Sequence, residues 1–163
     1  MSKILFCVLI TVNLILTINT FAEKEKDVDT LYKKLLEAKS LKFISKKSCT
    51  AEWKNGKPEL TVDNEVTEKE FPYLIFDSID LKKGTARLIG NQGASDVKVI
   101  ATLAGLTFIE QTDLGSVNIT TVFASCIEGT EEYIAVHSRH IDLGILPLLS
   151  QIHGICEIFD INR

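Results

Sequence analysis

Basic residues never gather in this chain. The densest stretch, "YKKLLEAKSLKFISKK", interrupts its lysines with apolar positions, and the 163 residues carry a formal net charge of −4. A nucleic-acid binder needs a basic face to neutralise phosphates, so nucleic acid is not an expected partner. Histidine is confined to His137, His140 and His153. A zinc site needs several ligands converging at about 2 Å on one ion. Three residues apart on a strand, His137 and His140 point to opposite faces, and no metal site is expected. No G-x-S-x-G elbow occurs. The one glycine-rich loop, "LIGNQGAS", lacks the Lys-Ser/Thr ending of a phosphate loop, and no helical pattern follows it. It reads as a turn, and no cofactor is expected.

Long apolar runs are also missing, except at the start. Lys3 precedes an apolar run over 4–18, and Thr20 and Ala22 lie three and one before a cut ahead of Glu23. This is the layout of a secretory signal peptide, and its apolar run is shorter than the ~20 residues that span a bilayer. Residues 1–22 are therefore expected to be removed, which leaves 141 residues with a formal charge of −5. No integral membrane span is expected after cleavage, and the protein is placed in the periplasm or outside the cell. One domain of that length can bury a core.

Cysteine is scarce and odd in number in the mature chain: Cys49, Cys126 and Cys156. An oxidising compartment favours pairing. A Cys49–Cys156 bridge would staple the first strand to the last, worth about 3–5 kcal/mol by closing a long loop. That pairing is the expectation, with Cys126 left over and Cys126–Cys156 as the alternative.

What is present is one helical pattern followed by strand texture. Val28, Leu31, Tyr32, Leu35 and Leu36 fall at helical spacing between lysines and acids. They predict an amphipathic helix over 28–38, within an N-terminal segment of residues 23–41. From residue 42 to 163, runs of β-branched and aromatic residues alternate with turn signals. Asn55-Gly56 is a hairpin turn. "KFISKKSCTAEW", "YLIFDSIDL", "TARLIG", "DVKVIAT", "LTFIEQT", "VNITTVFASC", "EYIAVHSRHI" and "SQIHGICEIFDI" read as strands, "ELTVDNEV" as a short strand or loop, and "DLGILPLL" as a loop. Eight or nine strands with tight turns predict a mainly β, antiparallel meander. Closure into a small barrel, lipocalin-like in outline, removes its free edges. A two-layer sandwich and a curved open sheet are the alternatives.

The strings "GTARLIGNQGASDVKVIAT", "GLTFIEQT", "TTVFAS", "AVHSRH" and "SQIHGICE" resemble a group of small exported bacterial proteins. The resemblance covers residues 48–157. It implies a bacterial, periplasmic setting and carries over no catalytic residue. Trp53 in the first strand is similar to the first-strand tryptophan of lipocalin-type barrels, with Ala51 where those barrels have glycine.

In "EEYIAVHSRHIDLG", Tyr133, Ala135, His137 and Arg139 share one strand face, and Ile134, Val136, Ser138 and His140 the other. The plain expectation turns Ile134 and Val136 to the core and His137 and Arg139 to water. The competing one makes His137 and Arg139 the lining of a ligand-holding interior. Arg87 and Glu110 join them as candidate ligand-binding residues. Glu110 with Asp113, and Asp77 with Asp80, read as surface carboxylates rather than acid/base pairs. Asn118 in "NIT" fits a glycosylation pattern but falls inside a strand. Leu146, Leu148 and Leu149 cover a barrel end or form a partner contact. The functional expectation is a non-enzymatic binding module for a small ligand, with an envelope structural or protein-interaction component and a hydrolase as alternatives.

Overall fold

The strand texture after residue 41 becomes nine antiparallel strands: β1 (Leu41–Lys54), β2 (Lys57–Asp63), β3 (Leu74–Asp80), β4 (Thr85–Gly90), β5 (Gly93–Thr102), β6 (Gly105–Gln111), β7 (Val117–Cys126), β8 (Tyr133–Asp142) and β9 (Pro147–Ile158). A helix, α1 (residues 28–37), precedes them. This computed structural model describes residues 28–159 apart from residues 64, 68, 72, 92, 113–114 and 143–146. The expected signal peptide and Leu146 lie outside the described residues. No described helix is long and apolar enough to cross a membrane.

From β3 to β9 each strand pairs with the next, and β9 returns to pair with β1 from Leu41↔Ile158 to Ala51↔Leu149. The ring closes where Leu41–Phe43 of β1 pairs with β3. The result is an eight-stranded barrel with β2 outside it as a ninth strand. β2 is the outer arm of the Asn55-Gly56 hairpin, whose φ angles of 52° and 75° match the type I′ turn that fits strand twist. β9 starts earlier than expected. Pro147 opens it, a position where the missing N–H costs no ladder bond, and Leu148 and Leu149 are strand residues rather than loop.

One half of the barrel is packed solid. Leu41, Phe43, Phe76, Val97, Val99, Leu106, Phe108, Val122, Tyr133 and Cys156 are buried there, and the Phe76 and Phe108 rings stack at 4.1 Å. α1 closes that end as a cap. Leu35 and Ala38 enter the core, Tyr32 donates to the Thr102 carbonyl and the Tyr133 hydroxyl donates to the Leu31 carbonyl. The apolar stripe of α1 thus has the partner that an amphipathic helix requires.

The plain expectation for β8 is overturned. Tyr133, Ala135 and His137 face inward, at 0%, 1% and 3% exposure, while Ile134 is 42% exposed. Both faces of the segment carry apolar residues, so alternation did not decide between them; register did. Tyr133 lies opposite Cys156, Ala135 opposite Gly154 and His137 opposite Ile152. Gly154 leaves room there, because a Cβ would strike the Ile44 carbonyl and crowd the Phe43 ring.

The expected disulfide is also overturned. No bridge joins Cys49, Cys126 and Cys156. Cys49 sits opposite Gln151, whereas Cys156 sits opposite Phe43, five residues further along β9. That offset is about 17 Å at ~3.3 Å per residue, far beyond the ~7 Å reach of a disulfide. Cys126 and Cys156 flank Tyr133 on either side, about two strand spacings or ~10 Å apart. Burial pushes the Cys156 thiol well above its ordinary pKa, with the Glu157 charge adding to the rise, so it is a poor nucleophile.

Two outcomes follow from this core. The intact mass of the native protein is expected to be the same before and after reduction, and maleimide should leave Cys156 unmodified until the chain is denatured. Phe108→Ala, which empties half of the stacked pair, is expected to lower unfolding free energy by about 3–5 kcal/mol in urea titration.

Candidate functional site

The other half of the barrel is open. Its wall carries a cavity of about 610 Å³, lined by residues of β3 to β8 and of the loop before β3. That volume is in the range of small-molecule sites. The lining changes character at this end. Leu74 and Leu88 form its apolar floor, and Ser95, Glu110, Asn118, His137 and Arg139 bring polar groups into it.

Strand alternation explains why these polar groups converge. On β7, Thr120 and Val122 are buried, so Asn118, two residues before Thr120, shares the inward face. Register places Glu110 opposite Asn118, Asn118 opposite Arg139, and Arg139 opposite Ser150. One row of side chains therefore crosses four neighbouring strands at the mouth. Glu110 is fully engaged: Ser95 Oγ donates to one carboxylate oxygen at 2.8 Å, and Asn118 Nδ2 donates to the other at 2.6 Å. Asn118 Oδ1 and Ser150 Oγ, on either side of Arg139, are buried with no hydrogen-bond partner among the described residues. Arg139 is partly buried, with its guanidinium 5.9 Å from the centre of the Phe71 ring. No described carboxylate lies within ion-pair distance of it.

His137 sits at the boundary between floor and plug. Its ring lies 5.5 Å from that of Phe71 and 6.0 Å from that of Phe43, and Nδ1 is 2.7 Å from Thr120 Oγ1. Burial, helped by the nearby Arg139 charge, lowers its pKa to about 4. The imidazole is neutral at pH 7, and among the described residues no carboxylate hydrogen-bonds to it.

Of the four residues singled out from sequence, the fold brings His137, Arg139 and Glu110 to one cavity. Arg87 is not among them. It points outward from β4, between Asp77 and Asp96 on the neighbouring strands. Asp77 and Asp80 serve the capped end instead: Asp77 accepts from the Ser40 hydroxyl, and Asp80 accepts from the Lys82 and Lys83 amides of a turn. Asp113 lies outside the described residues. His140 is exposed on the outer face, and no group of three His, Cys, Asp or Glu side chains suited to a metal ion occurs among the described residues. Sequence reasoning missed Asn118, Ser95, Phe71 and Ser150. For Asn118 alternation gave no signal, since Val117, Ile119 and Phe123 on the other face compete with Val122 and Ala124; its place follows from the register with Glu110 and Arg139.

No protein-family model, curated protein or solved structure matches this chain.

His137 gives the site a pH signature. Its folded pKa of about 4 lies below its ordinary 6.5, so between those values the unfolded chain holds a proton that the folded chain refuses. The contribution of His137 to stability is therefore fully present above about pH 6.5. It is lost as pH falls through that window, by on the order of 3 kcal/mol. Proton NMR of the imidazole should show titration near pH 4; a midpoint near 6.5 would mean that the ring is solvated.

Proposed function

We propose that this protein is a non-enzymatic binding module that holds a small anionic ligand in the open half of the barrel. The observation that carries the reading is the row at the mouth. A partly buried guanidinium with no described carboxylate within ion-pair distance, in a lining that also holds Glu70 and Glu110, is flanked by two buried polar atoms, Asn118 Oδ1 and Ser150 Oγ, that have no partner among the described residues. Buried polar atoms in folded proteins are almost always satisfied, and each exception calls for an explanation. A ligand with a carboxylate or similar planar anion would pair with Arg139 through two parallel hydrogen bonds. A donor group on the same ligand would satisfy Asn118 Oδ1, and an apolar portion would rest on Phe71, Leu74 and Leu88.

The plug supports the same reading. Small eight-stranded barrels either fill with side chains or hold one small molecule. Here the capped half is filled, so a solid core stabilises the fold without the mouth. The exported setting implied by the N-terminal sequence would make this a periplasmic or secreted carrier.

Native mass spectrometry tests the proposal on protein purified gently from its exporting host. The expected result is a reproducible small-molecule adduct that is shed on denaturation and absent from Arg139→Leu. A bare wild-type mass, or an adduct that survives the substitution, would sink it.

A further inference from the structure

We infer that β2 is a dimerisation strand, and that its partner is β2 of a second copy of this chain paired antiparallel about Leu60. This inference is independent of the cavity and its ligand.

The geometry starts from the hairpin. A two-residue type I′ turn closes on a hydrogen-bonded pair, here Lys54 and Lys57. Alternation then turns the backbone groups of Lys57, Glu59, Thr61 and Asp63 toward β1. Those of Pro58, Leu60 and Val62 point outward, to an edge that no described strand pairs with. Pro58 fits that outward position because its missing N–H costs the hairpin nothing. The side chains on this edge are unusually apolar. Leu60 is 72% exposed and Val62 62%, on the outer surface that also bears Trp53 at 45% and Leu149 at 43%. An edge strand is a template for strand addition, and Lys57, Pro58, Glu59 and Asp63 restrict this one to a strand whose charges and proline fall in matching places.

The sequence of β2, "KPELTVD", says which strand fits. Folded about a two-fold axis through Leu60, it places Lys57 opposite Asp63 of the second copy, Pro58 opposite Val62, Glu59 opposite Thr61, and Leu60 opposite its twin. Opposite charges meet at both ends, apolar side chains meet at the centre, and no like charges face each other. Leu60 exchanges its backbone bonds with its twin. Each Val62 N–H donates to the Pro58 carbonyl across the axis, so the one absent donor is the only bond lost at each end. An isologous two-fold interface requires this self-complementarity. The outer apolar surface of β9, β1 and β2 then continues across the axis, which covers Leu60 and Val62.

Sedimentation equilibrium on the protein as its exporting host delivers it provides the test. The wild type is expected to be a dimer. Lys57→Asp, which sets acid against acid at both ends, should weaken it roughly tenfold. The double variant Lys57→Asp with Asp63→Lys should restore it, because the charges meet again with their signs exchanged. Leu60→Lys should give a monomer. All these positions lie on a fully exposed strand, so unchanged thermal unfolding of monomeric variants would show that the barrel stays intact. A wild-type monomer at NMR concentrations would overturn the inference, and so would a dimer indifferent to Lys57→Asp and Leu60→Lys.

Discussion

A closed sheet cannot leave a strand edge unanswered, and in this protein that demand falls on β1. One edge of β1 follows β9 for most of its length, while the other is divided between three residues that meet β3 and a longer stretch that meets β2. Between those stretches, the Lys46 carbonyl accepts from Val66 N–H in the connection that follows β2. Further along that connection, Phe71 sets its ring edge-on to Phe43 at 6.5 Å. A register shift between Ser45 and Lys47 marks the same region. An inserted residue there exchanges the faces of the strand. Leu41, Phe43 and Ser45 are buried before it, whereas Trp53 lies exposed beyond it. The closure seam thus determines which side chains become core, which line the mouth and which remain on the surface.

The two ends of the barrel divide the physical work. At the capped end the aromatic stack, the helix and the inward Tyr133 exclude water; the Tyr133 hydroxyl is tied to backbone and the Ser40 hydroxyl to Asp77. At the mouth, hydrogen bonds run across strands from Ser95 through Glu110 to Asn118 and stop short of Arg139. His137 stands where the two regimes meet. Phe43 and Phe71 surround it with apolar rings, Thr120 satisfies one nitrogen, and burial keeps it uncharged. Adding a charge at that position works against the packing of both halves, which is why its titration reports on the folding of the whole domain.

Local chemistry made much of this architecture legible. The Asn55-Gly56 turn, the helical spacing from Val28 and the limits of β7 all follow from short-range preferences, and the structure places them where the sequence does. Closure was legible too, from the count of strands and the cost of free edges. Properties that depend on register were not. Tyr133 and Ala135 compete with Ile134 and Val136 for the core on nearly equal terms, and the choice is made by Cys156, Gly154 and Ile152 on another strand. Cys49 and Cys156 do belong to neighbouring strands, as the disulfide argument required, but an offset along the strands keeps their sulfurs apart. The site was legible in part for the same reason: His137, Arg139 and Glu110 have chemistry that attracts notice singly, whereas Asn118 and Ser150 matter only through the residues opposite them.

The strand left outside the ring also sets a ceiling on assembly. A sheet with two open edges can add neighbours at both sides and grow without limit, as fibres do. A ring with one appended strand leaves, among its described residues, one strand with a whole edge open, β2. In the vocabulary of bonding its valence is one. Two such units that meet edge to edge consume the capacity of each other, and the product has nowhere left to grow. An apolar, exposed β-strand is ordinarily a hazard in a crowded compartment; attached to a closed barrel it leads to a pair and no further.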